Sequence, residues 1–583
     1  MFKISIIFRK TFFYLLLIIQ PTVFAQPAKH DVKLLSPDKK LELLIREEPG
    51  SGIVYSFRAD GRLLITSSKL GLDTTVSTSW KKVSKKSVKT IWKPVWAKRA
   101  LVPDIYNEVT LDLVVYKIKV RAYNNGIAFR YEDATTEKEL TQFNFADDFT
   151  AWYYNGEYHN IGPEKLKAAT GMRRPVMTIK AGDESYIAIH EAELQSGEPL
   201  LLQPKHGTTL FSVPSRHANA WRVVMYGRTP GELVDSHLIE LLNPGPAKGF
   251  DFSWVKPGVA VWDWRINGAV ADGFTYSMSL PSWRRMVDFA SANGIQSFVL
   301  DADWYGPEFS KESDPLKGGK VEQVRQLIAY AKEKGVGIWL YLNDVGGVAY
   351  PLEQTIRQYG SWGAVGLKYG FMEGSPGEKN VRTQLITKLC AQNRLMVDFH
   401  DGPVHPYGQV RTWPNAVTRE YCHSQLDAHR VFEPKTFVTA VFVNMLAGPI
   451  DMDNGVVDMM QRGRIDNPTP VPSTITAEAA RTLITFSGAT IIPDIPENYN
   501  KHPQILQFIT AQKMPWKESK TLFGEIGEYI LMARKAANDN WLIAAATNEK
   551  SRRISIPLNI LEDGEYEAMI IEDGRDADFR TNK

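Results

Sequence analysis

The chain has 583 residues, of which 44% are hydrophobic and 23% charged, and its formal net charge at pH 7 is +3. Because single cores stop growing near ~250–300 residues, this length predicts several domains. The nearly balanced charge gives no basic footprint for nucleic acid, and the densest basic stretch, residues 81–89, is typical of a solvated strand face or loop.

The first 25 residues have the pattern of a secretory signal peptide. Three basic residues precede the apolar run 12–19, and Ala25 ends a small-residue cleavage pattern. The run is too short for a membrane span of ~20 residues, although an N-terminal anchor is the alternative. We expect a periplasmic or secreted protein that has no membrane span once the signal is removed.

Residues 26–255 predict an N-terminal β-sandwich, large enough to be a doubled sandwich or super-sandwich. Short alternating runs recur there, with Gly, Pro, Asn and Asp between them and no helical pattern. The predicted strands include Val32–Leu35, Leu41–Ile45, Val54–Arg58, Leu111–Val115, Ile118–Ala122, Gly126–Tyr131, Tyr186–His190 and Ala220–Tyr226.

Residues 256–515 change to a strand–helix alternation, which predicts a parallel sheet and, over this length, a (β/α)8 TIM-like barrel. The predicted strands are Val259–Trp264, Phe298–Asp301, Val336–Leu342, Ala364–Phe371 and Leu395–Phe399. The predicted helices, with apolar residues three and four apart, are Tyr276–Asn293, Val321–Lys334, Pro351–Tyr359 and Val381–Asn393.

Residues 516–583 return to a β pattern and predict a small C-terminal β-sandwich. Its strands are expected at Tyr529–Arg534, Trp541–Thr547, Arg553–Pro557 and Tyr566–Glu572. The fold class is therefore a multidomain protein, α/β in the barrel and all-β on both sides. The two cysteines, Cys390 and Cys422, are either bridged or buried as free thiols, and the sequence leaves both open.

The predicted barrel strands end in acidic and aromatic residues. Because functional groups of such barrels lie at the carboxyl ends of the strands, these residues are candidates for a site. Acid groups mixed with Trp are typical of a glycosidase cleft, whose chemistry needs two carboxyl groups. The candidates are Trp262, Asp263, Trp264, Asp301, Asp303, Asn343, Asp344, Glu373, Asp398, His400, Asp401, Glu420, Asp451, Asp453 and Asp494.

A metallohydrolase is the competing interpretation of the same region. His400, His405, His423 and His429 lie close in sequence to Asp398 and Asp401. Their spacings match no closed zinc pattern, so the glycosidase is the preferred hypothesis.

Several short motifs occur in order along the chain, from the first β domain to the end of the predicted barrel. They are Ala188-Ile189-His190-Glu191-Ala192, Val261-Trp262-Asp263-Trp264, Gly366-Leu367-Lys368-Tyr369-Gly370-Phe371-Met372, Val397-Asp398-Phe399-His400, Arg411-Thr412-Trp413-Pro414-Asn415, Arg419-Glu420, Ala447-Gly448-Pro449-Ile450-Asp451 and Pro496-Glu497-Asn498-Tyr499. Together they resemble glycoside hydrolase family 97. That resemblance implies the same three-part architecture and an α-glucosidase or α-galactosidase activity.

The resemblance also implies a calcium ion at the active site, since calcium takes oxygen ligands, chiefly carboxylates. Glu191 and Glu420 match family ligands, and Asp427 completes the predicted ligand set. The residues expected to bind the sugar are Trp262, Asp263, Trp264, Asp303, Asp398, His400 and Arg411.

The resemblance further implies an inverting mechanism. Gly370 occupies the position of the nucleophilic Asp of retaining members, and Asp401 stands where inverting members place their base. Asp401 is therefore the predicted general base, and Glu373 a second base-side carboxylate. Leu426 stands at the usual position of the general acid, which leaves Asp427 or Glu420 for that role.

The sequence thus predicts an exo-acting, calcium-dependent, α-glucosidase-like hydrolase that acts on oligosaccharides with inversion, as a monomer or homodimer. Two alternatives stay open. One is an α-galactosidase of the same family. The other is a non-catalytic carbohydrate-binding protein on a glycosidase scaffold, for which Leu426 is the reason.

Overall fold

The structure is a computed structural model that describes residues 31–74, 79–134, 138–214, 219–402, 407–422, 433–466 and 469–578. The predicted signal peptide lies outside these ranges. Within them, no helix combines the length and the apolar character that crossing a membrane requires.

The N-terminal domain is a β-sandwich, as predicted. A four-stranded sheet, β1-β2-β3-β4, faces a nine-stranded sheet in the order β11-β10-β12-β13-β16-β8-β7-β6-β5, and β14-β15-β9 form a third small sheet. The strands are β1 Val32–Leu35, β2 Leu41–Glu48, β3 Gly52–Ala59, β4 Arg62–Lys69, β5 Lys82–Trp92, β6 Val102–Asp112, β7 Lys117–Tyr123, β8 Gly126–Glu132, β9 Gln142–Asn144, β10 Thr150–Tyr154, β11 Ile161–Lys165, β12 Arg174–Gly182, β13 Ser185–Ala192, β14 Gln203–Pro204, β15 Leu210–Ser212 and β16 Trp221–Gly227.

The sandwich core follows from alternation along these strands. In β2, Leu41, Leu43 and Ile45 are fully buried while the residues between them are partly exposed. The lysine-rich stretch forms β5, whose residues are almost all exposed. The predicted run Leu111–Val115 was misplaced, because the strand there is β6, which ends at Asp112 before a turn.

The central domain is a nearly closed parallel barrel. Seven strands pair in the order β24-β23-β22-β21-β20-β17-β25 within the described residues. The gap between β24 and β25 is bridged at Ile450 and Asp451, whose N–H groups donate to the carbonyl oxygens of Phe486 and Arg419. The barrel strands are β17 Gly258–Trp262, β20 Ser297–Leu300, β21 Gly337–Asn343, β22 Gly366–Gly370, β23 Met396–Phe399, β24 Ala416–Arg419 and β25 Ala489–Ile492. Two short strands, β18 Val270–Ala271 and β19 Phe274–Thr275, form a separate two-stranded sheet.

Helices α3 to α10 belong to this barrel, and the short α1 and α2 precede it. In α3 the buried Trp283, Met286, Val287 and Ala290 recur at helical spacing and pack against the sheet. The helices are α1 Pro230–Asp235, α2 Leu238–Leu241, α3 Leu280–Ala292, α4 Val321–Glu333, α5 Leu352–Trp362, α6 Pro376–Gln392, α7 Pro434–Ala440, α8 Ile475–Ile484, α9 Pro496–Asn500 and α10 Pro503–Thr510.

Helix α6 begins five residues before the start predicted at Val381. Ser375 and Glu378 form a reciprocal capping box, and Pro376 occupies the first helical position. Apolar periodicity misses this first turn because its residues are largely exposed.

The C-terminal domain contains one three-stranded antiparallel sheet, β26 Glu518–Glu525, β27 Tyr529–Lys535 and β28 Trp541–Thr547. The strands predicted at Arg553–Pro557 and Tyr566–Glu572 were wrong, because these segments pair with no strand of the described residues and are mostly exposed. Cys390 and Cys422 are free and buried.

One hydrophobic cluster joins the three domains. It includes Trp96 of the sandwich, Val417 of the barrel and Trp516 near the C-terminal sheet. Hydrogen bonds cross the same boundary: Trp96 Nε1 donates to Pro414 O at 2.8 Å, and Tyr421 Oη donates to Pro175 O at 2.5 Å. The sandwich is thereby fixed against the barrel before and after β24, and the bond of Tyr421 lies at the carboxyl end of that strand, where the site is.

Candidate active site

A cavity of about 570 Å³ opens at the carboxyl ends of the barrel strands. This volume lies within the range of small-ligand sites, ~300–1,000 Å³. Six carboxylates and three basic groups line it together with aromatic side chains. The lining residues are Glu157, Trp262, Trp264, Arg265, Asp301, Glu308, Tyr341, Lys368, Phe371, His400, Asp401, Glu420 and Asp466.

A charged network forms one side of the cavity. Lys368 Nζ donates to Asp301 Oδ2 at 2.5 Å, and Trp262 Nε1 donates to the same oxygen at 2.6 Å. Burial disfavours the charged form of Asp301, but Lys368 outweighs burial and holds the pKa of Asp301 below its usual value. Asp263 lies behind this pair and accepts hydrogen bonds from Asp301 N–H and Trp283 Nε1.

His400 connects three acidic residues. Its Nε2 lies 3.0 Å from Asp451 Oδ2 and 3.2 Å from Asp398 Oδ2, and its Nδ1 lies 3.4 Å from Glu420 Oε2. Burial and Lys368 oppose a charge on the ring, but the neighbouring carboxylates outweigh them and raise the pKa of His400. The acidic cluster therefore favours the protonated form of the His400 ring.

Asp398, His400 and Asp451 also lie close enough together to hold a metal ion. Both carboxylate oxygens of Asp398 are buried without a hydrogen bond in the described residues, although His400 lies beside one of them. The donor set does not identify an ion.

Asp401 follows β23 in a left-handed conformation, with φ of 59°. Non-glycine residues adopt this region uncommonly, and it often marks functional sites. The Asp401 N–H donates to Glu420 Oε2 at 3.1 Å, and Asp401 Oδ2 accepts the N–H of Phe371 at 3.3 Å. Burial raises the pKa of Asp401, and burial raises that of Glu420 to about 8.

Gly370 ends β22 directly beside Asp401. A Cβ atom on Gly370 would lie 2.5 Å from Asp401 Oδ2 and 2.7 Å from Tyr341 Oη. Both distances are shorter than Cβ contacts in proteins, so no side chain fits at position 370 while Asp401 and Tyr341 keep their places. The Asp401 carboxylate therefore occupies the space that a side chain on the preceding strand would need.

The structure brings together part of the predicted site. Trp262, Trp264, His400, Asp401 and Glu420 line the cavity. Asp263 and Asp398 are buried behind the lining, and Asp427 lies outside the described residues.

Three other predicted residues lie away from the lining. Glu373 and Asp303 are exposed, and Asp303 accepts the N–H of Glu308 at 2.9 Å. Arg411, predicted to bind the sugar, is not among the lining residues. It forms an ion pair with Asp104 at 2.8 Å and donates to Leu241 O.

Glu191, a predicted calcium ligand, has both oxygens in use. Oε1 accepts the N–H of Leu200 at 2.8 Å, and Oε2 pairs with Arg222 at 2.9 Å. Arg222 also binds Glu139 at 2.5 Å, and all three side chains are buried. The described residues therefore do not fit the Glu191–Glu420 calcium site, and no step of the reaction is derived through calcium.

Sequence reasoning missed several lining residues. Glu308 lies seven residues beyond Asp301, in the loop after β20, and Glu157 comes from the sandwich. Tyr341 lies within β21, two residues before the strand end at Asn343. For Tyr341 the usable signal was the alternation in β21, which places Tyr341 and Asn343 on the same side of the strand.

Three family models match successive parts of the chain. They are described as Glycosyl-hydrolase 97 N-terminal, over residues 34–244, Glycoside hydrolase 97, over residues 262–422, and Glycosyl-hydrolase 97 C-terminal, oligomerisation, over residues 515–583.

Two curated relatives are similar along much of their length. The chain is 27% identical to a retaining alpha-galactosidase of Bacteroides thetaiotaomicron, over 97% of this chain and 94% of that protein. It is also 27% identical to a probable retaining alpha-galactosidase of Streptomyces bingchenggensis, over 79% of this chain and 72% of the relative.

The fold matches solved structures of similar proteins. A variant of a glycoside hydrolase family 97 enzyme from Pseudoalteromonas sp. strain K8 is 26% identical, with a TM-score of 0.81 over 91% of this chain and 92% of that one. Its structures in complex with panose and with acarbose are 25% identical, with TM-scores of 0.80 over the same shares.

Proposed function

Because the chain belongs to glycoside hydrolase family 97 and is a glycosidase, we propose that it is an exo-acting α-glycosidase that works with inversion. In this proposal, Asp401 is the general base. It takes a proton from a water that attacks the anomeric carbon, while a second carboxyl group protonates the leaving oxygen. The substrate is the terminal sugar of an oligosaccharide, held in the cavity at the strand ends.

The observation that carries the proposal is the contact between Gly370 and Asp401. An attacking carboxylate at position 370 would need a Cβ only 2.5 Å from Asp401 Oδ2. The chain therefore has its carboxylate just after β23, at Asp401, and none at the end of β22. The curated relatives are described as retaining, and they are 27% identical. We infer that this chain departs from them at the two positions that decide the stereochemistry.

Two carboxyl groups remain for the proton donor. Asp427 lies outside the described residues, and Glu420 lines the cavity. Burial raises the pKa of Glu420 to about 8, which favours the protonated form that a general acid needs. The cluster around His400 keeps Glu420 in place beside Asp401.

The preferred substrate is an α-glucoside, with an α-galactoside as the alternative. The structural relatives bound to panose and acarbose support the α-glucoside. The curated relatives, named as alpha-galactosidases, support the α-galactoside. Turnover of 4-nitrophenyl α-glucoside and α-galactoside by the purified protein compares the two directly. No turnover of any α-glycoside would contradict the proposal and support a non-catalytic carbohydrate-binding protein.

Calcium dependence is a separate part of the proposal and rests on family membership alone. The ligands would have to be residues other than Glu191, whose two oxygens bind Leu200 N–H and Arg222. If calcium is required, dialysis against a chelator abolishes activity, and added Ca²⁺ restores it. Activity that survives chelation would contradict this part and leave the base assignment unaffected.

We also propose a homodimer, because the family model that matches residues 515–583 is described as an oligomerisation domain. The signal-peptide pattern of the first 25 residues supports a location in the periplasm or outside the cell. Light scattering of the purified protein tests the dimer.

A further inference from the structure

Two exposed aromatic side chains are in contact at the rim of the cavity. The ring centroids of Phe309 and Phe371 are 4.8 Å apart, and the ring planes make an angle of 72°. Phe309 is 59% exposed and Phe371 is 38% exposed, and Phe371 is also one of the lining residues of the cavity. Large apolar side chains that are exposed beside a cavity are typical of a ligand-binding surface. The function proposed above gives neither ring a role.

The backbone before Phe309 is fixed. Phe309 directly follows Glu308, whose N–H donates to Asp303 Oδ1 at 2.9 Å and whose carbonyl oxygen accepts from Asn343 Nδ2 at 3.2 Å. The loop after β20 is therefore held at the residue next to Phe309. Because this backbone is already ordered, a ligand that packs on the ring loses little affinity to the ordering of the chain.

The backbone of Phe371 is strained and lies beside the predicted base. Phe371 follows the last residue of β22 and has a positive φ of 41°. A bulky residue is a genuine outlier in this region, and such strain persists mainly at functional sites. The Phe371 N–H donates to Asp401 Oδ2 at 3.3 Å. One member of the aromatic pair, Phe309 with Phe371, is therefore bound through its backbone to the proposed general base.

We propose that this aromatic pair binds the second sugar ring of the oligosaccharide, which is the ring that leaves as the aglycone. The inference rests on the proposed function, in which the terminal sugar fills the cavity and its anomeric carbon lies beside Asp401. A single oxygen joins the second ring to that carbon, so the second ring lies at the rim of the cavity, against Phe371. The C–H face of a pyranose is apolar, and its burial against an aromatic side chain is favourable.

Carboxyl groups near the aromatic pair suit the hydroxyl groups of a sugar. Asp303 and Glu373 are exposed and belong to the two segments that carry the rings, and Glu308 lines the cavity next to Phe309. A sugar has hydroxyl donors at the edge of an apolar face, so it can use the rings and the acceptors together. These carboxylates would repel an anionic ligand, and a purely apolar ligand would not use them. The ligand class that fits is a neutral oligosaccharide.

The test is Phe309→Ala, assayed on two substrates with the same terminal sugar, an α-linked disaccharide and the methyl α-glycoside. The pairs are maltose with methyl α-glucoside and melibiose with methyl α-galactoside, according to which terminal sugar the protein hydrolyses. We expect kcat/KM on the disaccharide, divided by kcat/KM on the methyl glycoside, to fall about fivefold, the scale of one aromatic contact. Phe309→Tyr keeps the ring and should keep the wild-type ratio. An unchanged ratio for Phe309→Ala would overturn the proposal.

Phe523→Ala is the matched control. Phe523 is an aromatic residue of β26 in the C-terminal sheet and is 44% exposed. Its replacement removes a similar exposed ring far along the chain from the cavity, so both values of kcat/KM should match the wild type. A fall in the ratio as large as that of Phe309→Ala would show that the effect does not depend on the cavity rim, and would contradict the proposal.

Sugar binding separates this inference from the proposed function. If the wild type hydrolyses no α-glycoside, the proposed function has failed, and calorimetric titration with both pairs of sugars replaces the kinetics. Phe309→Ala should then raise the Kd of a disaccharide about fivefold relative to that of its methyl glycoside. Identical Kd values for the variant and the wild type, or no binding to either protein, would overturn the inference as well. Hydrolysis with an unchanged ratio removes only the role of the aromatic pair and leaves the proposed function standing.

Discussion

Asp401 Oδ2 lies 2.5 Å from the point where Gly370 would carry a Cβ atom. Gly370 ends β22, and Asp401 lies two residues beyond the end of β23, the parallel strand beside it. A side chain at 370 would therefore require the Asp401 carboxylate or the Tyr341 hydroxyl to move. In the function proposed above, this contact decides which of the two strands supplies the carboxylate that acts on the sugar.

Gly370→Ala should inactivate the protein without unfolding it. The new methyl group would displace Asp401 or Tyr341, and a shift of about 1 Å in a catalytic group costs on the order of 100-fold in rate. Gly377→Ala is the matched control, because its Cβ would meet only ordinary contacts of 3.7 Å and longer. Steady-state kcat of both variants tests this, and a fully active Gly370→Ala would show that Asp401 is not held as described.

Asp401→Asn should lower kcat by about 10²–10⁴, the usual contribution of a general base. The amide keeps the shape of the side chain but cannot take the proton from water. Asp272→Asn serves as the control, since Asp272 is an exposed aspartate that also has a positive φ. Near-wild-type turnover by Asp401→Asn would remove Asp401 from the role.

The proton donor is identified by comparing Glu420→Gln with Asp427→Asn on substrates of different leaving-group acidity. In a variant that lacks the donor, kcat should fall by about 10²–10⁴ on 4-nitrophenyl glycosides. It should fall much less on 2,4-dinitrophenyl glycosides, because 2,4-dinitrophenolate leaves without protonation. We expect this pattern from one of the two. If both variants lose equally on both substrates, neither residue is the donor.

The buried Arg222 should be essential to the stability of the sandwich. Arg222→Met would leave the carboxyl groups of Glu139 and Glu191 buried without the cation that pairs with both, which costs about 3–5 kcal/mol in the free energy of unfolding. Arg228→Met, which breaks an exposed pair with Glu184, should cost less than about 1 kcal/mol. Urea denaturation at pH 8 compares them, and equal losses would contradict the prediction.

The pH dependence of that loss has a defined sign. Burial raises the folded-state pKa of Glu191 to about 7, above its unfolded value of about 4.3. The ionised form therefore costs the folded state free energy as the pH rises through this window. The loss in free energy of unfolding caused by Arg222→Met should consequently become smaller below pH 7 and larger above it.

Functional groups of such barrels lie at the carboxyl ends of the strands. This rule depends only on strand positions and sheet geometry, so it could be applied to the sequence. Trp262, His400, Asp401 and Glu420 lie in the cavity lining, as that rule predicts. Glu308 was not predicted because it lies in a loop, where no periodicity indicates which residue faces the cavity. The C-terminal strands were overpredicted for the converse reason, since apolar alternation persists in segments that pair with nothing in the described chain.

Long-range ion pairs explain why two residues predicted for the site lie outside the cavity lining. Glu191 is held by Arg222, 31 residues away, and Arg411 by Asp104, 307 residues away. A sequence motif shows that such residues are charged but not which partner uses the charge. Short motifs therefore indicated the family, while the use of each carboxylate required the tertiary structure.

The stereochemistry of the first product tests the central claim most directly. Proton NMR of an aryl α-glucoside digest, recorded before mutarotation, distinguishes the two anomers of the released sugar. If Asp401 activates water opposite the leaving group, the β-anomer appears first and converts slowly to the equilibrium mixture. Initial release of the α-anomer would require a covalent intermediate and would contradict the account built on Gly370 and Asp401.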